Sequence, residues 1–421
     1  MPSARHPHAD AGQRDVSDDD ESVDGPVAVG AADGHVDPGV AQAGLAFQGA
    51  GPFVRQRRPM NADTVDAVHA WCDRLRDTTY THTPCAPLPG AVAVFPHGSA
   101  EAQAWRARAR WRGIPPSARG EPAVDPALPA DVVVLREVAV PAYDTAAGVA
   151  QWSLEHLLQH TVCITTTCLM LDPDAVIIGL YVTSATDPAV SGVAAVGRQL
   201  AAQCPHTYPL KRRSHWYGKH VGNGYTGYNW VDGIQRFACP TKVANTFVTA
   251  FLPRRPDAHR AERLLAETFA GLQTLERRHV PDVYRRRVEL ARRAEFPGII
   301  PGLPIERLAA TYVGVTLDFT CRPHNDSSVA GTTETICWHR VPGDPVFGFA
   351  ILQYGATLLL ENSSCLYMPG DIWHGTPPNV SGACDFKHNS LGLVLMSKKA
   401  LLADTDLTRQ ANRNVRDHVC N

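Results

Sequence analysis

The chain has 421 residues, 44% of them hydrophobic and 19% charged, and a formal net charge of -2. That length suits roughly two to three domains of ~150 residues, or fewer where one large β fold is present, and holds ample apolar material for a core. The near-neutral balance excludes a histone-like polycation, and no apolar run is long enough for a transmembrane helix.

The N-terminus, MPSARHPHADAGQRDVSDDDE, has no apolar h-region, so no secretory signal is read there. Eleven cysteines, an odd number and never in a C-x-x-C pair, point to reduced thiols in an intracellular compartment. Residues 1–50 hold nine acids against two arginines among Gly and small residues. Too little apolar surface is present to offset the entropy of ordering, and a disordered acidic tail is expected. Residues 51–130 are rich in Pro and poorly defined, with helices expected over 64–76 and 100–112.

Order is expected from residue 131. VVVLREVAV (132–140) and AVIIGLYV (175–182) read as strands, and AGVAQWSLEHLLQH (147–160) and SGVAAVGRQLAAQC (191–204) as helices. Residues 205–300 carry 17 Lys and Arg against eight acids. Part of that charge lies on the predicted helix PDAHRAERLLAETFAGLQTLERRH. The rest lies in KRRSHWYGKHVGNGYTGYNW (211–230), where cations, glycines and aromatics alternate. Cations attract phosphate and aromatics stack on bases, so Lys211, Arg212, Arg213, Trp216, Tyr217, Lys219, Tyr225 and Tyr228 are candidate nucleic-acid contacts. An ordinary surface loop with its aromatics tucked inward fits the same pattern.

From residue 311 the texture becomes all-β. TYVGVTLDFT, TTETICWHR, VFGFAILQ, ATLLL, SSCLYM and LGLVLMS are short runs separated by Pro, Gly, Asn and Asp, which suggests a small sandwich or a jelly-roll barrel. Between the first two stands Arg322-Pro323-His324-Asn325-Asp326. An imidazole and a carboxylate two residues apart on extended backbone point the same way, as two cis metal ligands require. H-x-D recurs at His8/Asp10 and His35/Asp37, so the dipeptide pattern is not specific by itself. Downstream, MPGDIWHGTPP puts His374 after a strand and a Pro-Gly-Asp turn. In a jelly roll these positions meet at the barrel mouth, giving a two-His-one-carboxylate triad suited to non-haem Fe(II). A turn histidine at His374 and an Asx-turn aspartate at Asp326 are the structural alternative.

Residues 311–340 followed by PGDIWHGTPP resemble the catalytic jelly roll of the TET/JBP family, in particular the algal enzymes that modify 5-methylcytosine. The resemblance covers about residues 305–398, with a weaker echo back to about 205, and leaves residues 1–130 unmatched. It implies an α+β chain with a double-stranded β-helix (jelly-roll, cupin-like) core at 305–398. Flanking helices and strands at 131–300 complete a dioxygenase domain over 131–400, followed by a C-terminal tail at 401–421. It implies catalytic and iron-ligating His324, Asp326 and His374, with O2 as co-reactant, methylated DNA as partner and a nuclear location. It also implies a basic residue for 2-oxoglutarate, normally an arginine two before a serine on the last core strand. Here Gly382-Ala383-Cys384-Asp385-Phe386-Lys387-His388-Asn389-Ser390 has no arginine, leaving Lys387 or His388, on opposite strand faces, for that work. Some algal relatives use ascorbate instead and transfer part of it to the methyl group, so either cosubstrate fits.

Arg340 is either a further cosubstrate contact or a strand cap, and Glu334 is expected to face solvent or a polar partner in the core. Cys204, His206, His215, His220 and Cys239 match no standard zinc spacing. Gly222, Gly224 and Gly227 satisfy G-x-G-x-x-G without a βαβ context, and no G-x-S-x-G elbow occurs. Two other functions remain: an iron hydroxylase of a small molecule or protein, and a metal-free, cupin-like nucleic-acid-binding module.

Overall fold

The computed structural model describes residues 60–115, 120–141, 151–203, 228–236, 246–249, 258–317, 319–326, 332–340, 347–360, 362–378 and 390–397, with short pieces between 399 and 413. The predicted acidic tail at 1–50 lies outside the described residues.

The first described element, α1 (Ala62–Arg76), starts where Asn61 Oδ1 accepts the Thr64 amide at 2.8 Å. That cap satisfies one of the amides a helix N-terminus leaves without an intrahelical partner. Its buried residues Val68, Cys72 and Leu75 recur at helical spacing and enter the main core. Thus much of the Pro-rich stretch expected to be poorly defined is structured: β1 (Ala93–Phe95) and α2 (Ala100–Arg108) follow. The second helix ends four residues before the expected 112, because Arg110 leaves it to form a bridge with Val176.

Ten strands form one sheet. In chain order they are β1, β2 (Asp131–Val134), β4 (Cys168–Leu171), β5 (Ile177–Thr183), β6 (Tyr228–Arg236), β7 (Thr246–Thr249), β8 (Tyr312–Leu317), β10 (Glu334–Arg340), β13 (Ser363–Met368) and β15 (Ser390–Met396). Their spatial order is β1-β2-β4-β5-β13-β10-β15-β8-β6-β7, antiparallel except for β2 with β4. The expected strand over 132–140 stops at Val134, since exposed Arg136 and Glu137 follow buried Leu135. A second sheet runs β3 (Val162–Ile164), β12 (Ala356–Leu359), β11 (Gly348–Ile351), β14 (His374–Thr376) and β9 (Cys321–His324) in spatial order. The architecture is α+β, with mostly antiparallel pairing.

Period-two alternation gives the central strands two different faces. On β15, Leu391, Leu393 and Leu395 join Cys337, Cys365 and Tyr367 in the core under the helices, while Val394 packs against the cluster between the sheets. Burying each leucine contributes about 1.5–3 kcal/mol. The helices on the first face are α4 (Pro188–Ala201), α5 (Ala258–His279) and α6 (Pro281–Arg293). Gly197 lets α4 sit close: a Cβ there would lie 2.5 Å from Leu393 Cδ1. The other face meets the second sheet through Ile336, Trp338, Leu366 and Met368 against Phe349, Ile351 and Leu358. Within the helix expected over 147–160, α3 spans Leu154–His160 and is capped by Ser153, whose backbone is extended. Part of the expected C-terminal tail is packed, with Asn412 fully buried and donating to the Ala294 and Leu401 carbonyls.

The seven cysteines among the described residues are free thiols. Among those residues no helix is long and apolar enough to cross a membrane.

Candidate metal centre

β9 ends and β14 begins side by side, with His324 directly opposite His374 in the antiparallel register. Extended backbone through Pro323 carries the chain past His324 to Asp326, whose amide donates to the Gly370 carbonyl at 2.7 Å. That bond ties the H-x-D segment to the Pro-Gly-Asp turn preceding His374. One ligand atom each from His324, Asp326 and His374 falls within 4.8 Å of the others, and no other such group occurs among the described residues. Asp326 Oδ2 lies 3.7 Å from His324 Nε2 and 3.6 Å from His374 Nε2.

The hydrogen bonds select a tautomer. His374 Nδ1 lies 2.7 Å from the Ile372 carbonyl, which only accepts, so Nδ1 carries the proton and Nε2 presents a lone pair to the cluster. Burial, and then the neighbouring His324, hold the His374 imidazole below its ordinary pKa, favouring the neutral ligand form. His374 Nε2 and Asp326 Oδ2, 3.6 Å apart, both face the space they share with His324 Nε2. A cation in that space would take one donor atom from each residue. These residues therefore fit a divalent metal, and the mixed nitrogen and oxygen set suits iron.

The site is closed behind and open in front. His374 is 3% exposed, with its ring stacked on Phe349 at 5.4 Å between centroids, and Phe349 in turn meets Trp338 at 5.1 Å. His324 and Asp326 are 30% and 25% exposed, so a substrate reaches the cluster from their side.

Of the other predicted site residues, Arg340 stands at the far end of β10, six residues from Glu334 and so roughly 20 Å along the strand. Its amide donates to the Asn362 carbonyl at 3.0 Å. Lys387 and His388 lie outside the described residues, as do Lys211, Arg212, Arg213, Trp216, Tyr217, Lys219 and Tyr225. Of Tyr228 the backbone alone is described, opening β6 opposite Leu317. Cys204, His206, His215, His220 and Cys239 are also outside.

Glu334, expected to face solvent or a polar partner in the core, takes the second course. Glu334 is 1% exposed, and its Oε2 lies 3.9 Å from His374 Nε2. The available signal was an acid sharing a strand face with Ile336 and Trp338.

No protein-family model matches the chain, and no curated protein matches it. Among solved structures it is similar to one described as NgTET1 in complex with 5mC DNA. The TM-score is 0.36 and the identity 11%, over 56% of this chain and 78% of that chain. At that score the likeness fixes neither fold nor activity.

Proposed function

We propose that the chain is a non-haem Fe(II)-dependent dioxygenase. It oxidises or otherwise modifies the methyl group of 5-methylcytosine, or of thymine, in DNA, with 2-oxoglutarate or ascorbate as cosubstrate. The carrying observation is the convergence of His324, Asp326 and His374 within 4.8 Å, with the His374 tautomer fixed for ligation. Two sheets packed across a shared apolar interior, with that cluster at one end, support a double-stranded β-helix core over 305–398. The motif resemblance to the TET/JBP family supports the DNA substrate and a nuclear location.

When bound, the ferrous ion supplies the O2 activation needed to attack an unactivated methyl C–H bond. His324 and His374 would hold it as neutral donors and Asp326 as an anion. Phe349 and Trp338 exclude water behind the ligands, so the reaction side is the open His324/Asp326 face. A methyl group on a stacked base cannot reach that depth, so the nucleotide must leave the helix, at a cost of a few kcal/mol. Lys211, Arg212, Arg213 and Lys219 are assigned to phosphates and Trp216, Tyr217, Tyr225 and Tyr228 to base stacking. Lys387 or His388 is assigned to the cosubstrate carboxylate or its ascorbate equivalent.

Nucleoside mass spectrometry of 5-methylcytosine DNA, incubated with Fe(II) and each cosubstrate separately, tests this reading. Loss of 5-methylcytosine with a new mass is expected, and none with His324→Ala/Asp326→Ala. A gain of one oxygen identifies hydroxylation, and a larger adduct identifies transfer from the cosubstrate. No change with iron-loaded protein would overturn the DNA assignment and favour a hydroxylase of small molecules or proteins.

A further inference from the structure

We infer that Cys85 and Cys168 are a thiol oxidation site: hydrogen peroxide oxidises Cys85, and Cys168 closes a reversible disulfide with it. This chemistry is separate from the metal reading and needs no iron. Cys85 lies in the arm between α1 and β1, and Cys168 opens β4. The arm is held there by buried Asp131, which opens β2 beside Cys168 in the parallel register. Asp131 Oδ2 accepts the Cys85 amide at 2.6 Å, while Oδ1 accepts the His97 amide at 2.6 Å and lies 3.1 Å from His82 Nε2. With its backbone so fixed, Cys85 sets its sulfur against the residues that lead into β4. Thr166 Oγ1 donates to Sγ at 3.0 Å, and the Thr167 carbonyl stands 3.9 Å from it. The Cys168 thiol completes the set, hydrogen-bonded to Cys85. Both belong to the apolar layer between the sheets, Cys168 fully buried within it and Cys85 half-buried at its edge.

The surroundings divide the work between the two sulfurs. The hydrogen bond from Cys168 holds the Cys85 thiol below its ordinary pKa, with Thr166 adding to it, against burial and the Asp131 charge. That same bond, together with burial, raises Cys168. Cys85 is thus the attacking thiolate on the solvent side, and Cys168 is the resolving thiol behind it. The Cys85 sulfur attacks the peroxide O–O bond and keeps one oxygen as a sulfenic acid, while the other leaves as hydroxide and is protonated to water. Cys168 then attacks that sulfur, and its proton leaves with the sulfenic oxygen as a second water. Two thiols and one hydrogen peroxide become one disulfide and two waters. The disulfide fastens the arm to β4, and a dithiol reductant reverses it.

Peptide mapping of the full-length protein after stoichiometric hydrogen peroxide, with remaining thiols alkylated before digestion, tests the assignment. The expected first product is a peptide pair joined through Cys85 and Cys168, lighter by two hydrogens and released by dithiothreitol. It should form ahead of any change at half-buried Cys163 or Cys321. Cys168→Ser should instead leave Cys85 as a sulfenic acid that dimedone traps. Thr166→Val should slow the Cys85 reaction about tenfold, the worth of one hydrogen bond to a charged acceptor. A wild-type map in which Cys85 stays reduced, or is oxidised without joining Cys168, would overturn the inference. That arm decides should Cys168→Ser not fold.

Discussion

The two faces of β10 bury polar groups in opposite ways. On the helix side, donors and acceptors are matched: Arg287 with Glu276, and His279 between Tyr367 Oη at 2.8 Å and Asp187 Oδ2 at 2.7 Å. On the side facing the second sheet, His324, Asp326 and His374 bring one ligand atom each within 4.8 Å of the others. Matched groups hold a fold together. Converging lone pairs hold a cation, and the sheet between these regions lets the first brace the second.

Mutations on the helix face should therefore alter stability and spare the intrinsic metal affinity of the folded protein. The largest effect is expected for Arg287→Met, which leaves Glu276 charged and buried, at a cost of about 3–5 kcal/mol in urea unfolding. Arg287→Met/Glu276→Leu should recover most of that loss, whereas no recovery would mean that the pair does more than balance charge.

Next comes acid. Burial raises the Asp187 carboxyl, but His279, through its hydrogen bond and charge, and Arg278 outweigh it and hold the group below its usual range. Its stabilisation is thus present above the unfolded carboxylate pKa, near ~4, and is lost as pH falls through the lower folded value. Asp187→Asn should cost about 1–3 kcal/mol at neutral pH and flatten the acid limb of a pH–stability curve. An unchanged acid limb would remove Asp187 from the stabilising network. The smallest effect is expected for Asn61→Ala, about 1 kcal/mol from loss of the α1 cap, with metal affinity untouched.

The site was more legible than its surroundings. The meeting of His324, Asp326 and His374 could be expected from sequence because short spacing and a turn motif mark residues that strand ends bring together. For Glu334 the sequence left solvent and core both open, because the choice depends on which way β10 faces, and that is set by Thr335 and Thr333 meeting Glu276 and Arg287 on helices far off in sequence. The apolar runs of β5, β13 and β15 announced themselves as buried strands. The helix expected over 64–76 is present as α1, two residues longer at its start because Asn61 caps it, and its buried side is Val68, Cys72 and Leu75. Arg340 closes β10, a position that sequence alone leaves open between a cosubstrate contact and a strand cap.

The most direct test of the central claim is iron content after anaerobic reconstitution with Fe(II) and removal of loose metal. The account predicts a single ferrous ion per wild-type chain and none in a folded His324→Ala/His374→Ala variant. Equal iron in both, or none in the wild type, would contradict it.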